Sequence, residues 1–138
     1  MSYATGYDEE ETNDDLLREA IEVAINTDKV VLFAGTTSRM ESEGYDRWTI
    51  NLPDGHLRLI EEVAKVNPNL VVVLNNGAAV ATRPIEASSR AIVEAWFLGS
   101  ASGQAIADIL FGKTNPSGKL SETFPLQIEH TPARLNFP

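Results

Sequence analysis

Three short, mostly apolar runs punctuate this chain: Val30-Val31-Leu32-Phe33, Leu70-Val71-Val72-Val73-Leu74 and Ala91-Ile92-Val93-Glu94-Ala95-Trp96. Their β-branched and aromatic content, and the Gly35, Asn75-Asn76-Gly77 and Gly99 that follow them, predict buried strands. Between the runs, apolar residues recur at helical spacing. Leu16, Leu17, Ala20, Ile21, Val23 and Ala24 follow a Thr12-Asn13-Asp14-Asp15 start signal and end at Asn26-Thr27-Asp28-Lys29. Leu57, Ile60, Val63 and Val66 follow Pro53-Asp54-Gly55 and stop at Asn67-Pro68-Asn69, where proline cannot continue a helix. A third helix is expected from Ser100 to Leu110, with Gly112 as its stop and small residues Ala101, Gly103, Ala105 and Ala107 for close packing. Ala78 to Ser89 is ambiguous, and Arg83-Pro84 argues against a regular helix there. Asn115-Pro116-Ser117-Gly118 is a turn, and Leu120 to Phe124 alternates as a short edge strand.

Continuous apolar strands joined by helices predict an α/β fold: a three-layer sandwich with a mostly parallel central sheet and helices on both faces. Residues 1–14, with Asp8, Glu9, Glu10, Glu11 and Asp14, read as an acidic lead-in, either solvated or a recognition tail. Residues 15–125 form the sandwich domain, and 126–138 a tail of little periodicity. There is no internal repeat.

Composition narrows the function classes. A chain of 138 residues is one domain by length and can bury a real core. With 11 lysines and arginines against 20 aspartates and glutamates, the net charge is −9, which disfavours nucleic acid as a partner. No run is long and apolar enough to suggest a membrane span. The absence of cysteine excludes disulfides, thiolate metal sites and cysteine nucleophiles. It also points to a reducing, cytoplasmic setting. The first residues lack the marks of a signal peptide, although the start of an excised piece would say nothing about export.

Candidate chemistry concentrates on one loop. In α/β proteins ligands bind beyond the carboxyl ends of the strands. The run after Gly35 carries Glu41, Glu43, Tyr45, Asp46, Arg47 and Trp48. Read plainly, it is a solvated loop with Asp46–Arg47 and Glu–Arg pairs, each worth ~0–1 kcal/mol. Read as a site, one glutamate is a proton donor, which requires burial or a second carboxylate to raise its pKa. Elsewhere the signals are bland. No phosphate-cradling or dinucleotide glycine pattern is present. Gly99-Ser100-Ala101-Ser102-Gly103 suits either an anion at a helix start or close helix packing. His56 and His130 are too far apart in sequence to suggest a metal site, and His56 is expected to be an exposed first-turn residue. No cofactor or metal is expected.

The order of features resembles the C-terminal α/β-sandwich domain of glycoside hydrolase family 3, the β-glucosidase family. The matching pieces are Tyr3-Ala4-Thr5-Gly6-Tyr7, Glu43-Gly44-Tyr45-Asp46-Arg47 leading to Leu52-Pro53, and Val66-Asn67-Pro68-Asn69. Further on come Val71 to Gly77, Ile92 to Trp96, Ala105 to Gly112, Asn115 to Leu120 and Thr123-Phe124-Pro125. Two segments depart from the family pattern: Leu98 to Gly103 replaces a Pro-Gly-Gln-Glu-Gly-Gly run, and Arg83-Pro84-Ile85 replaces an apolar, tryptophan-containing stretch. The tail 126–138 is truncated relative to the family.

What the resemblance implies is a retaining glycosidase with two carboxylates. The nucleophile sits on an N-terminal barrel domain, and the acid/base is a glutamate ten residues before the proline that opens the next helix. Counting back from Pro53 gives Glu43, with Glu41 as the second candidate. Asp46 and Arg47 then support the loop through a charge-assisted hydrogen bond, and Tyr45 or Trp48 packs beside a sugar ring or covers the interface. A barrel needs about 250 residues, so this chain holds half a site. The implied substrate is a β-glucoside or oligosaccharide, the implied partner is the barrel domain, and the chain alone is expected to be inactive. The alternative is a non-catalytic flavodoxin-like module that binds a ligand or partner.

Overall fold

The computed structural model describes residues 1–9 and 11–136. Glu10 of the lead-in and the last two residues of the tail lie outside the described residues. The element order is α1 (Asp14–Ile25), β1 (Val30–Gly35), α2 (Asp54–Val66), β2 (Leu70–Asn75), α3 (Arg83–Glu86), β3 (Ala91–Glu94), α4 (Ser102–Leu110) and a 3-10 turn at Ile128–His130. The three strands form one parallel sheet in the order β1-β2-β3. Leu32 faces Val72 across the first ladder, and Val72 faces Ile92 across the second.

Strand alternation sorts the apolar runs onto two faces. On one face Leu32, Ala34, Leu70, Val72 and Leu74 pack with Leu17 and Ala24 of α1, Leu59, Ile60 and Val63 of α2, and Ile85 of α3. Ile60 and Leu74 are fully buried, and such burial stabilises the fold by ~1.5–3 kcal/mol per side chain. On the other face Val73, Val93 and Ala95 pack against Ile106 and Leu110 of α4. Helices thus lie on both faces, as a three-layer sandwich requires. The second face is covered unevenly, however. Val31 and Phe33 of β1, expected to be buried, stand 42% and 47% exposed because α4 packs over β2 and β3 instead.

Local chemistry explains the boundaries. Asn13 caps α1, its side-chain oxygen accepting the Asp15 and Leu16 amides at 3.1 and 3.2 Å. Asn67, buried beyond α2, donates to the carbonyls of Ala24 and Thr27 at 2.9 and 2.7 Å, so the end of α2 also holds the end of α1.

Several expectations are corrected. Arg83-Pro84 does not prevent a helix: Pro84 sits in the first turn of α3, where its missing N–H is not needed. The third strand stops at Glu94 rather than Trp96, because Trp96 adopts φ +53° and leaves the ladder. The third helix starts at Ser102, and Gly103 and Ala105 lie on its exposed side, so Ile106 rather than the small residues makes the close contact. Leu120 to Phe124 forms no strand; the segment crosses the end of the sheet, where Glu122 accepts the Ala79 amide at 3.1 Å and Phe124 meets Trp96 edge-to-face at 5.6 Å. The lead-in is exposed at Asp8, Glu9 and Glu11, yet it is also anchored. Gly6 is buried at φ +82° against Leu59, and Tyr7 donates to the Phe33 carbonyl at 3.1 Å.

The tightest approach in the sheet is at its carboxyl edge. A Cβ on Gly35 would lie 1.9 Å from the Asn75 carbonyl oxygen. Gly35→Ala is therefore expected to destabilise the chain by ~1–3 kcal/mol through forced backbone displacement. Gly44→Ala, which meets nothing, should stay within about 0.5 kcal/mol. Urea unfolding of the two variants checks the contrast.

Candidate active site at the carboxyl edge of the sheet

β1, β2 and β3 release three loops at the same edge, and every sequence-predicted site residue lies on the first of them, residues 36–53. The exits of β1 and β2 are joined: the Thr36 amide donates to the Asn75 carbonyl at 3.1 Å. Glu41 then folds the first loop back onto the sheet. Its Oε1 accepts the Thr36 hydroxyl at 2.7 Å and the Gly77 amide at 3.1 Å, and Arg47 Nη1 lies 4.0 Å away. With its side chain only 19% exposed, Glu41 is a clip between two strand exits.

Glu43, two residues on, has the opposite environment. It is exposed and makes no hydrogen bond or ion pair within the described chain. Asp46 is likewise exposed and does not pair with Arg47; the expected support comes instead from Arg47 beside Glu41, at ion-pair rather than hydrogen-bond distance. The Nε and Nη2 atoms of Arg47 are buried without an acceptor among the described residues. Tyr45 and Trp48 stand 78% and 90% exposed on the same loop. Phe97 and Leu98, on the third loop, are also exposed, so the first and third loops both carry apolar side chains open to solvent.

The second and third loops hold residues that sequence reasoning passed over. Asn76 is fully buried; its side-chain nitrogen donates to the Ala78 carbonyl at 3.1 Å and to Glu94 Oε2 at 3.3 Å, and its Oδ1 has no partner among the described residues. Glu94 Oε1 accepts the Trp96 amide at 2.8 Å. Asn75 donates to the Trp96 carbonyl at 3.2 Å. The signal for Glu94 was present: it is the lone charge in an otherwise apolar strand run. Burial pushes the Glu94 carboxyl above its ordinary value, against the lowering effect of the Trp96 amide and Asn76.

His56 is the other correction. It is buried, not exposed, and lies against the Tyr7 ring with centroids 3.7 Å apart. Its Nδ1 faces the Gly35 amide at 3.4 Å and its Nε2 the Glu9 carbonyl at 2.6 Å. An amide can only donate and a carbonyl only accept, so a ring tautomer with its proton on Nε2 satisfies both contacts. Burial raises the Tyr7 hydroxyl pKa, with Tyr3 adding to it. Tyr7, His56, Phe33 and Thr36 line a shallow cleft of about 280 Å³ beside the loop. Among the described residues no group of three His, Asp or Glu side chains is arranged to hold a metal ion.

The profile described as the glycosyl hydrolase family 3 C-terminal domain matches residues 1–137. Thermostable β-glucosidase B of Acetivibrio thermocellus is 45% identical over 140 residues, covering 100% of this chain and 18% of that protein. The exo-α-(1→6)-L-arabinopyranosidase of Bifidobacterium longum is 42% identical over 138 residues, covering 99% of this chain and 18% of that protein. Among solved structures, the family 3 β-glucosidase of Bifidobacterium adolescentis superposes with a TM-score of 0.94 at 42% identity, over 99% of this chain and 21% of that one. This chain therefore spans about a fifth of the length of the proteins it matches.

The Glu94 environment sets a pH dependence. Its folded pKa is raised, so the folded chain holds the Glu94 proton more tightly than the unfolded chain does. Its contribution is most favourable below the ordinary carboxylate value and is lost as pH rises through the raised one. Glu94→Gln removes that loss. The gain in urea midpoint of Glu94→Gln over the parent is expected to grow between the ordinary carboxylate range and neutral pH.

Proposed function

The chain belongs to the glycosyl hydrolase family 3 C-terminal domain family, and from that premise we propose that it contributes the general acid/base, Glu43, to a retaining β-glycosidase of β-glucosidase type. The observation that carries the assignment is the division of labour on the first loop. Glu41 is consumed by two hydrogen bonds, from the Thr36 hydroxyl and from the Gly77 amide, while Glu43, two positions away, is exposed and has no partner among the described residues. A proton donor must reach a substrate atom, and Glu43 is the loop glutamate free to do so.

The reaction needs two carboxylates about 5–5.5 Å apart in a retaining enzyme. Glu43 is one. The other, the nucleophile, belongs to the barrel domain that the family resemblance implies for the rest of the polypeptide. The acid protonates the glycosidic oxygen as the nucleophile attacks the anomeric carbon. The resulting carboxylate then takes a proton from the water that releases the sugar. A general acid of this kind needs a second carboxylate and a drier interface around it to keep its proton near neutral pH. One feature fits a site completed from outside: the exposed Tyr45, Trp48 and Phe97. The matched relatives carry names for two different sugars at similar identity, which fits sugar selection by the barrel rather than by this domain.

In the complete enzyme, Glu43→Gln is expected to lower kcat on an ordinary glucoside by about 10²–10⁴-fold. Activity should recover with azide or on substrates with good leaving groups, while near-normal kinetics on the ordinary glucoside would overturn the assignment. The 138-residue chain alone is expected to show no hydrolysis of an aryl β-glucoside. Turnover by it would show that the nucleophile is not on another domain.

A further inference from the structure

The third loop leaves β3 through an unusual residue. Trp96 holds φ +53°, a conformation that a bulky side chain rarely adopts. Such a residue persists only where its surroundings over-determine it. Here three side chains do so. Glu94 Oε1 takes its amide, Asn75 takes its carbonyl, and the ring lies edge-to-face on Phe124. Glu94 is in turn held by the fully buried Asn76.

The consequence appears one residue later. A Cβ on Gly77 would come within 2.6 Å of the Phe97 ring and within 3.2 Å of Glu41 Oε2. Phe97, the Gly77 backbone and the Glu41 carboxylate therefore touch in sequence. Gly77 also donates the amide that holds Glu41. The direction in which Trp96 turns the chain thus bears on whether Phe97 lies against Gly77.

We propose that Glu94 is a positioning residue. With Asn75 and Asn76 it latches Trp96 in its left-handed conformation, which seats Phe97 on Gly77 and fixes the Glu41 clip that displays Glu43. Glu94 is not in contact with the reacting atoms; it acts through backbone geometry. A half-buried carboxylate in an apolar strand is costly to keep, and the latch accounts for why one stands there. The raised pKa of Glu94 agrees with that cost. The catalytic consequence rests on the reading of Glu43 as acid/base; the latch itself does not.

The test uses the complete polypeptide that carries this domain, with two readouts: hydrogen exchange of the segment 36–48 by mass spectrometry, and kcat separately from KM on an aryl β-glucoside. Glu94→Leu removes the acceptor. It is expected to speed exchange of that segment about tenfold and to lower kcat by a similar factor with KM little changed. Glu94→Gln keeps an oxygen for the Trp96 amide and should hold both readouts within about twofold of the parent. In a Trp96→Gly background, where glycine takes positive φ without help, Glu94→Leu should cost about threefold or less. The latch is overturned by unchanged exchange in Glu94→Leu, by Glu94→Gln behaving like Glu94→Leu, by an equal cost in both backgrounds, or by Glu94→Leu failing to fold in both. If exchange responds as expected while Glu43→Gln stays fully active, the latch stands and the acid/base assignment falls.

Discussion

β1 and β2 leave the sheet in such close contact that Gly35 has no room for a methyl group against the Asn75 carbonyl. Everything at the site depends on that approach. It lets Thr36 bond to Asn75, which sets the first loop off alongside the second, and it brings the Gly77 amide within reach of Glu41. A wider gap would leave Glu41 without its backbone donor, and the loop residues 36–53 would lose the contact that folds them over the sheet edge. The same junction is reached from the opposite side by His56, whose Nδ1 accepts the Gly35 amide. That bond explains why a histidine in the first turn of α2 is buried under Tyr7 and not offered to solvent.

The apolar pattern made the sheet legible because parallel strands covered by helices read as continuous runs. All three strands, their order of appearance and the three long helices are visible there. What the pattern could not reveal was which half of β1 would be covered. Val31 and Phe33 look the same in sequence as Leu32 and Ala34, and only the placement of α4 over β2 and β3 leaves them exposed. Leu120 to Phe124 failed for a related reason. Alternation alone does not supply a free strand edge to pair with, and the segment is instead captured by side-chain contacts from Glu122 and Phe124. Pro84 misled because proline forbids helix interiors but not first turns.

The candidate loop was legible as a cluster of charges, and the resemblance in Glu43 to Arg47 singled out one glutamate. Composition could not separate Glu41 from Glu43, since both are glutamates on one loop. The separating facts are three-dimensional: a hydroxyl and an amide converge on Glu41, and nothing in the described chain converges on Glu43. The pairing of Asp46 with Arg47 was the natural guess for adjacent opposite charges. In the fold, however, Arg47 turns toward Glu41 and not toward its neighbour.

Acidic groups at this edge thus divide by environment. Glu41 is held by donors, Glu94 is held and partly desolvated, and Glu43 is exposed. Each environment suits a different role. A clip needs fixed donors, a latch needs a fixed backbone partner, and a proton donor needs access. The first two roles are completed within this chain, and the third is not. That asymmetry follows from where the loop points. Its polar contacts run inward to the strand exits, while Tyr45, Trp48 and Glu43 face out, toward whatever covers the edge of the sheet. A domain built this way is rigid where it must hold a carboxylate in place and unfinished where that carboxylate must work.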